Sequence, residues 1–461
     1  MSQPSNLARR DIETVIHPYT NLSAFRETGP LLIEEGKGVF VRDNRGREYI
    51  EGLSGLWCAS LGYGNEELVE AAREQMARLS FSHLFGGKGH DLAIELSEKL
   101  KEIAPGAPSK VLFCSGGSEA NDMQVKLTWY WNNARGKPEK KKIISRQKAY
   151  HGVTVASGSL TGLTPVHADF DLPIPQVVHA PCPHHYRFAE EGETQTEFSA
   201  RMARELEELI LREGPETVAA FIAEPVMGAG GVLIPPEGYF EAIVPVLREH
   251  DVRLISDEVI CGFGRTGEMF GAESFGFTPD SISVAKAITS AYFPLGAITI
   301  EEDLYQAMLA ESEKIGTFGH GYTYTGHPVG CAVALKVLEI YEREDIPGQV
   351  RKKAPLFEGR FAALGEHPLV GEARAKGMIG AVELVADKKT KRPFDPALKV
   401  GAKVVEFAQA RGLICRMLGD AVALCPPLIM TEDEMNEMFD RLALALDDTE
   451  AWVEREGLRH G

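Results

Sequence analysis

The sequence VLFCSGGSEAN, residues 111–121, joins a short apolar run to a glycine turn and to the start of a helix. The run at 111–114 has the length and composition of a buried strand. The glycines at 116 and 117 permit a tight turn, and a helix is expected over about 118–135. A strand, a turn and a helix in this order are the repeating unit of an α/β protein.

The same alternation extends along the middle of the chain. Apolar residues three and four positions apart predict helices at 67–79, 91–103 and 239–250. Short strands are expected at 142–146, 218–223, 253–256, 281–285 and 296–300. Strands that alternate with helices form a mostly parallel sheet with both faces covered. Ligands of such sheets bind beyond the carboxyl ends of the strands, so the residues that follow each strand are candidate site residues.

The pattern changes after residue 327. Helices are expected at 331–342 and 398–411, with a glycine-rich strand region at 371–385 between them. A capping box from Thr431 to Glu434 predicts the start of a closing helix. We interpret this part as a smaller α+β domain that shares its sheet with the N-terminal sixty residues. The predicted division is 1–60 for the N-terminal segment of that domain, 61–326 for the large domain and 327–461 for the C-terminal part.

Composition and charge exclude several classes of function. Among 461 residues, 49 Lys and Arg stand against 67 Asp and Glu, giving a formal charge of −18. Nucleic acids and anionic membrane surfaces both require a basic surface, so neither is an expected partner. The longest apolar stretch, 217–236, is interrupted by Glu224 and Pro225, and the start of the chain lacks the apolar segment of a secretion signal. We therefore expect neither a membrane span nor secretion.

The cysteines indicate a reducing compartment and no metal centre. Seven are scattered along the chain, an odd number, without a Cys-x-x-Cys pair. A disulfide framework or zinc site is therefore disfavoured, and a cytosolic location is expected. His179, Cys182, His184 and His185 lie close in sequence, but their spacing fits no zinc pattern and two prolines separate them. We interpret this cluster as an ordinary loop.

The glycine turn offers an anion-binding site. The backbone amides of Gly116 and Gly117, the Ser118 hydroxyl and the N-terminus of the following helix together suit a phosphate group. An ordinary turn with Ser118 as the helix N-cap would have the same composition and is the more frequent case for such a turn alone.

Two acids and a lysine lie at predicted strand ends. Asp257 follows an apolar strand, where a carboxylate is costly unless a cation such as a protonated pyridine nitrogen pairs with it. Glu224 ends the preceding strand in the same way. Lys286 follows another apolar run, and burial would make its amine a better nucleophile towards carbonyl groups. Taken singly, such an acid is more often a helix cap or a salt-bridge partner, and a snorkelling side chain would also explain the lysine.

The combination is more specific than its members. A phosphate site, the aromatic ring of Tyr150, an acid at 257 and a lysine at 286 occur in this order along the chain. Pyridoxal 5′-phosphate requires a phosphate seat, a ring-stacking face, a partner for its pyridine nitrogen and an amine for its aldehyde. These residues therefore indicate a pyridoxal-phosphate enzyme.

A second glycine motif suggests a competing function. GFGRTG at 262–267 matches G-x-G-x-x-G after a strand, which is typical of nicotinamide dehydrogenases. The residues that follow contain glycines and a proline where the phosphate-binding helix should begin. We therefore predict a structured surface loop here. A binding protein without catalysis is disfavoured as well, because it requires no buried lysine beside a phosphate site.

The chain resembles the class III pyridoxal-phosphate aminotransferases, in the branch that moves nitrogen from amines or ω-amino acids to pyruvate. The motifs that carry the resemblance are Gly55-Leu-Trp-Cys58, Gly62-Tyr-Gly64, the stretch 257–267, Ala285-Lys286, the stretch 321–328, and Gly419-Asp420 with Pro426-Pro427. The resemblance implies a fold-type-I homodimer with active sites at the subunit interface. It also implies a large domain with a mostly parallel seven-stranded sheet, and leaves open whether dimers pair into tetramers.

The resemblance assigns roles around the cofactor. Lys286 would bind it covalently and move the substrate proton, and Asp257 would pair with the pyridine nitrogen. Tyr150 would stack on one face of the ring and Val259 would pack on the other, with Glu224 close to Tyr150 and the ring hydroxyl. The phosphate-binding residues implied are Gly117, Ser118 and, from the partner subunit, Thr323.

The resemblance also assigns the substrate pocket. The residues that would wall it are Tyr19, Trp57 and Phe85. Arg416 matches a mobile arginine that grips the carboxylate of pyruvate, although a surface salt bridge would equally explain an arginine there. A bidentate cation suits a 2-oxo acid, and a long side chain can move aside for an apolar amine. The implied activity is a ping-pong transamination, and an aminomutase, racemase or decarboxylase with the same cofactor residues is the alternative.

Overall fold

The computed structural model describes residues 6–460 of the chain. Its N-terminal part forms two helices, three antiparallel strands and a helical turn: α1 (Asn6–Thr14), α2 (Leu22–Thr28), β1 (Ile33–Lys37), β2 (Phe40–Asp43), β3 (Glu48–Glu51) and α3 (Ser54–Trp57). The side chain of Asn21 accepts the Ala24 N–H and so caps α2. The segment after β3 leads into the large central part of the molecule.

Seven strands form the central sheet: β4 (Lys110–Cys114), β5 (Lys142–Arg146), β6 (Val177–Ala180), β7 (Val218–Ala223), β8 (Arg253–Asp257), β9 (Ser281–Val284) and β10 (Gly296–Ile300). Their order is β4-β10-β9-β8-β7-β5-β6. The pairs between β6 and β9 are parallel, and β10 runs antiparallel to both of its neighbours. The predicted mostly parallel seven-stranded sheet is confirmed. The strand-by-strand prediction missed β6, whose sequence VVHA includes a histidine in an otherwise apolar run.

The helices of this part of the chain are α4 (Glu66–Arg78), α5 (Asp91–Ile103), α6 (Gly117–Ala134), α7 (Val155–Leu160), α8 (Thr164–His167), α9 (His185–Phe188), α10 (Gln195–Glu213), α11 (Tyr239–Glu249), α12 (Gly271–Ser274) and α13 (Glu302–Ile315). Helices pack on both faces of the sheet. All six residues of β7 are buried. Phe221 and Ile222, which are adjacent residues of β7, belong to separate apolar clusters, because successive side chains of a strand point to opposite faces. Phe221 packs with α10 and α11, whereas Ile222 packs with α6 and α7.

The C-terminal part contains α14 (Pro328–Arg343), α15 (Ile346–Leu364), β11 (Val370–Lys376), β12 (Ile379–Leu384), α16 (Val400–Ala410), β13 (Leu413–Ile414), β14 (Arg416–Leu418), β15 (Ala421–Leu424) and α17 (Glu432–Arg455). An antiparallel sheet has the order β11-β12-β15-β14, whereas β13 pairs with β3. The N- and C-terminal segments therefore share a sheet, as expected. The capping box of Thr431 and Glu434 begins α17. The domain boundaries after residues 60 and 326 stay a prediction.

The prediction of a surface loop at 262–267 is wrong, because every residue of this segment is buried. The side chain of Arg265 donates hydrogen bonds to the carbonyl oxygens of Met378, at 2.9 Å, and Pro426, at 2.6 Å. Both acceptors belong to the C-terminal part, so the loop connects the central sheet to it. The segment is followed by the four-residue α12 and not by a long phosphate-binding helix, which removes the basis for a dinucleotide site.

None of the helices in residues 6–460 combines the length and the apolar character that crossing a membrane requires.

Glu258 anchors α12 to the end of β8. Its carboxylate accepts the N–H groups of Gly271 and Ala272, each at 2.8 Å, and the Ser256 hydroxyl at 3.1 Å. The side chain is fully buried. Burial raises the pKa of Glu258 from its ordinary 4.5 to about 7 despite these donors.

This raised pKa predicts how stability depends on pH. A carboxyl group with a higher pKa in the folded state stabilises the fold fully below the unfolded pKa, and that contribution is lost as the pH rises through 7. We compare the free energy of unfolding of the wild type with that of Glu258→Gln. The difference, wild type minus variant, should be ~1–3 kcal/mol smaller at about pH 8 than at about pH 5. Denaturant unfolding at both pH values measures it. Glu273→Gln, at an exposed position on α12, is the control, and equal pH dependence in wild type and Glu258→Gln contradicts the assignment.

Candidate active site

A cavity of about 360 Å³ lies where the carboxyl ends of the parallel strands meet. Its walls come from the turn before α6, the loop after β5, the ends of β7 and β8, and the segment after β9. The predicted site residues that line it are Gly117, Ser118, Tyr150, Glu224, Asp257, Val259 and Lys286. These residues are spread over 170 positions of sequence, and the order of the sheet brings them together.

The N-terminus of α6 opens into this cavity. Within the part of the chain that the structure describes, the N–H groups of Gly117 and Ser118 donate no hydrogen bond to another residue. A Cβ atom on Gly117 would lie 3.1 Å from Val259, so glycine permits the close approach of the turn to the cavity wall. Free N–H groups at the positive end of an 18-residue helix suit a phosphate group.

Asp257 is held by two residues that the sequence did not single out. The side-chain amide of Asn121 and Nδ1 of His151 each lie 2.7 Å from Asp257 Oδ2. The Val259 N–H donates to Oδ1 at 3.1 Å. His151 follows Tyr150 directly and Asn121 lies one turn into α6, so proximity to predicted site residues was the available signal. Together they fix the orientation of a carboxylate that is 4% exposed.

Glu224 connects the end of β7 to the loop that carries Tyr150. Its carboxylate accepts the Tyr150 N–H at 2.9 Å and the Gly228 N–H at 2.9 Å. Burial raises the pKa of Glu224 above its ordinary value. Burial also raises the pKa of the Tyr150 hydroxyl, and a hydrogen bond with Tyr19 adds to this effect. The predicted proximity of Glu224 and Tyr150 is therefore present.

Lys286 follows β9 in a left-handed backbone conformation, with φ of 51°. Non-glycine residues rarely adopt it, and such strain is common at functional sites. Burial lowers the pKa of its amine, and the negative charge of Asp257 partly opposes that change. Among residues 6–460, Lys286 Nζ makes neither a hydrogen bond nor an ion pair. A desolvated amine without a partner, directed at a polar cavity, is suited to attack a carbonyl group.

These groups fit pyridoxal phosphate. The free N–H groups of α6 suit its phosphate, the Asp257 carboxylate suits its pyridine nitrogen, and Lys286 Nζ suits its aldehyde. The side chains of Tyr150 and Val259 supply cavity walls for the ring. Asn121 Oδ1, a buried atom of the same cavity, also lacks a partner in the described part of the chain, so polar capacity remains for a ligand.

Three predicted substrate residues lie beside this cavity. The rings of Tyr19 and Tyr150 are 6.4 Å apart. Burial lowers the pKa of Arg416, whereas the nearby hydroxyls of Tyr150 and Tyr19 act in the opposite direction. Trp57 is buried and packs in a cluster with Ile260, which itself lines the cavity.

Phe85 and Thr323 do not line this cavity. A Cβ atom on Gly321 would lie 2.8 Å from the Phe85 ring, so Phe85 packs against the segment that carries Thr323. Thr323 is exposed. The action of Thr323 on a partner subunit stays a prediction, and the sequence did not indicate that Phe85 lies against the same segment.

Of the four residues interpreted as an ordinary loop, Cys182 and His184 lie between β6 and α9, whereas His179 belongs to β6 and His185 begins α9. His184 takes part in an ion-pair network. His184 Nε2 lies 2.8 Å from Glu372 and 3.7 Å from Glu383. These atoms are close enough to share a metal ion. However, Arg374 pairs with both carboxylates and Arg187 pairs with Glu383, so two guanidinium groups already compensate the negative charge. The expectation of no metal at this cluster stays a prediction.

Comparisons with known proteins agree with one another. A family model described as aminotransferase class-III matches residues 23–446. An aminotransferase of Sinorhizobium fredii named y4uB is 49% identical over 94% of both chains. A chloroplastic gamma aminobutyrate transaminase of Solanum lycopersicum is 45% identical, covering 95% of this chain and 85% of its own. An omega transaminase from Pseudomonas jessenii, solved in complex with PMP, has a TM-score of 0.96 at 50% identity, covering 98% of this chain and 99% of its own.

The contact between His151 and Asp257 predicts a role in cofactor retention. Replacing His151 with Phe leaves the buried carboxylate without one hydrogen bond, and such a loss at a charged group costs ~1.5–3 kcal/mol. Cofactor affinity should therefore fall about ten- to a hundredfold. Titration of the cofactor absorption band during reconstitution measures the affinity. His185→Phe, which alters a part-buried histidine on α9 outside the cavity, is the control. Unchanged affinity in His151→Phe contradicts the role.

Proposed function

The chain belongs to the class III aminotransferases, and from this premise we propose that it moves an amino group from a primary amine or an ω-amino acid to pyruvate or another 2-oxo acid. The observation that carries the proposal is the meeting of Lys286, Asp257 and the N-terminus of α6 in one cavity, with Arg416 beside Tyr150. The family assignment confirms the enzyme class, the fold type and the dependence on pyridoxal phosphate that the sequence suggested.

Each residue of the cavity has a defined task. Bound pyridoxal phosphate supplies an electron sink that stabilises negative charge on the carbon bearing the amine. Asp257 holds a proton on the pyridine nitrogen, and Asn121 and His151 orient its carboxylate. Lys286 Nζ takes the proton from the substrate carbon and returns it, which the lowered pKa of its amine favours. The first turn of α6 would bind the phosphate of the cofactor, in the same cavity as Lys286.

Arg416 supports a single pocket for both half-reactions. A 2-oxo acid brings a carboxylate, which a guanidinium binds through two parallel hydrogen bonds. An apolar amine brings no charge, so the guanidinium must then lie elsewhere. Arg416 is half-buried and stands on the three-residue strand β14, next to the exposed turn at Gly419. A long side chain on a short strand has the freedom that this exchange requires.

The donor can be an amine or an ω-amino acid. Relatives of this chain are named as gamma aminobutyrate transaminases, and similar structures are named as omega transaminases. The carboxylate of an ω-amino acid also requires a cation, and Arg416 would supply it. A panel of amines and ω-amino acids with pyruvate as acceptor tests the proposal. Equal formation of alanine and of the ketone or aldehyde would distinguish transamination from an aminomutase, racemase or decarboxylase.

We further propose a homodimer with shared active sites. Phe81, Phe85 and Tyr324 are exposed apolar residues of one surface, and their rings pack with the segment that carries Thr323. Exposed apolar patches of this kind are typical of interfaces. The cavity described above lacks Phe85 and Thr323, so a second copy that presents this surface would complete it. Light scattering of the purified protein measures the number of subunits and separates a dimer from a tetramer.

A cytoplasmic location is proposed from the cysteines. All seven are free, and six are buried. Free thiols in a protein of this size are typical of a reducing compartment.

Lys286→Ala should abolish covalent cofactor attachment and turnover, because alanine has no amine to bind the aldehyde or move the proton. The expected turnover is at least about a thousandfold lower, as for loss of a nucleophile that also serves as base. Absorption spectra and alanine formation measure the two effects. Lys353→Ala, at a buried lysine of α15, is the control for loss of a buried amine. Turnover at the wild-type rate in Lys286→Ala contradicts the assignment.

Arg416→Ala should impair pyruvate much more than an apolar amine. Loss of a bidentate partner for a carboxylate should raise the KM for pyruvate about ten- to a hundredfold. The half-reaction with 1-phenylethylamine should change less than about threefold, since this donor has no carboxylate. Single-turnover kinetics of each half-reaction measure both. Equal losses in the two half-reactions would show that Arg416 has only a structural role.

A further inference from the structure

The segment 52–58, which follows β3, has a strained backbone. Ser54, Gly55 and Trp57 all have positive φ angles, of 51°, 68° and 66°. A bulky aromatic residue is rarely found in this region of φ, and it stays there only where surrounding contacts hold it. The conformation of this segment, called the Trp57 loop below, therefore requires a specific anchor.

The carboxylate of Glu51 is one such anchor, beside the Ser54 hydroxyl, which donates to the Cys425 carbonyl at 2.6 Å. Glu51 is 3% exposed and lies at the end of β3. Its Oε1 atom accepts the Leu53 N–H at 3.1 Å, and its Oε2 atom accepts the Gly55 N–H. Oε2 also accepts the Tyr63 hydroxyl at 3.0 Å. One side chain thus satisfies two backbone donors of the loop, on either side of Ser54.

The hydroxyl of Tyr63 is itself held in place. The backbone of Tyr63 pairs with Gly38 through two hydrogen bonds of 2.9 Å, which fix it to the turn between β1 and β2. A Cβ atom on Gly36 would lie 2.8 Å from the Tyr63 ring, so glycine lets the ring pack against β1. The anchor at Glu51 is therefore attached to the rigid N-terminal sheet.

Glu51 acts through hydrogen bonds and not through an ion pair. Within residues 6–460, no Lys, Arg or His lies within ion-pair distance of its carboxylate. The titratable groups that face it are Tyr63, Cys58, Cys415 and Cys425. Burial raises the pKa of Glu51 to about 7, and the hydrogen bond from Tyr63 partly opposes that rise. A carboxyl group is costly to bury. The three hydrogen-bond donors around Glu51 therefore indicate that its role is to fix the backbone conformation of the Trp57 loop.

The Trp57 loop adjoins the cavity that contains Lys286. Trp57 packs with Ile260, a residue of the cavity wall. The Cys58 thiol donates to the Ser54 carbonyl at 3.4 Å, within the loop. Burial raises the pKa of Cys58, while the positive charge of Lys286 lowers it and the negative charge of Glu51 raises it. The Cys58 thiol is therefore near enough to both Glu51 and Lys286 for their charges to affect it.

We propose that Glu51 is a positioning residue for the amine donor, which fixes the Trp57 loop and thereby the apolar wall of the substrate pocket. The proposal rests on the proposed transamination for its kinetic test and on the geometry of the loop for its second test. Without the carboxylate, Trp57 relaxes out of its left-handed conformation and its ring leaves the wall. Aromatic amines lose an apolar partner, whereas small amines do not reach it.

The chain contains a matched control for this interaction. Asp43, at the end of β2, is buried and also accepts two backbone N–H groups and one tyrosine hydroxyl. The donors are Arg45, Arg47 and Tyr49, each at 2.9 Å. Its turn does not contribute to the cavity. Asp43→Asn therefore removes the same kind of contact from the same sheet without altering the Trp57 loop.

The first experiment compares two donors in Glu51→Gln holoenzyme with pyruvate as acceptor. Glutamine has almost the same size as glutamate. However, its amide NH₂ group would face a backbone N–H group of the loop, and two donors cannot form a hydrogen bond. The KM for 1-phenylethylamine should rise about tenfold, as for one lost hydrogen bond, with kcat changed less than about threefold. The KM for isopropylamine should change less than about twofold. A purely structural role would raise the KM of both donors by the same factor, and that result overturns the proposal.

The second experiment measures the loop directly and requires no substrate. Cys58 is the half-buried cysteine, and the other six are buried. Ellman's reagent should therefore label Cys58 of the folded holoenzyme first, and Cys58→Ser identifies that phase. In Glu51→Gln the phase should be about tenfold faster because the loop opens more often. Asp43→Asn should leave it unchanged while lowering the thermal midpoint.

The two experiments separate failure of this inference from failure of the proposed function. If the wild type used no amine with pyruvate, the proposed function would be wrong, and thiol labelling alone would decide the role of Glu51. If Glu51→Gln did not fold, Tyr63→Phe would serve, since it removes one donor to Oε2 and should speed labelling of Cys58 by a smaller factor. Labelling rates equal to those of the wild type in the folded variants overturn the proposal.

Discussion

The charge buried at the carboxyl ends of β8 and β9 is the constraint on which the site depends. A carboxylate at Asp257 and an amine at Lys286 are both removed from water, and neither is stable there without partners. Asn121, His151 and the Val259 N–H compensate Asp257 within the chain. The remaining capacity of the carboxylate and the free amine match a cofactor with a basic ring nitrogen and an aldehyde. The apolar sheet that surrounds these groups is what gives them their reactivity.

Two neighbouring acids at the end of β8 have different tasks for a simple geometric reason. Successive side chains of an extended chain point in opposite directions, so Asp257 faces the cavity and Glu258 faces α12. Glu258 binds backbone N–H groups and stabilises the local fold. Glu51 does the same for the Trp57 loop. Buried carboxylates therefore serve in this molecule both as chemical groups and as anchors for irregular backbone.

The sequence predicted the parts of the protein that depend on local pattern. Periodicity located the helices α4, α5 and α11 and six of the seven central strands, because burial on one face of a helix or on both faces of a strand leaves a pattern in composition. The order of Tyr150, Asp257 and Lys286 indicated the cofactor, because each lies at or near a strand end. The resemblance then carried the family assignment, which the comparisons confirm. The short strand β6 left no clear pattern, and the tertiary structure alone revealed it.

Contacts between distant segments were decided by the tertiary structure. The partners of Asp257 come from α6 and from the loop after β5, and only the strand order brings them to one carboxylate. Arg265 lies in a motif that suggested an exposed loop, but backbone carbonyls of the C-terminal part bury it. The resemblance assigned Phe85 to the wall of the substrate pocket, yet within one subunit it packs with the segment of Thr323. The sequence by itself determined the chemistry, since reactive groups are properties of residues. The structure decided which groups act together, since hydrogen bonds depend on distances that the order of residues does not contain.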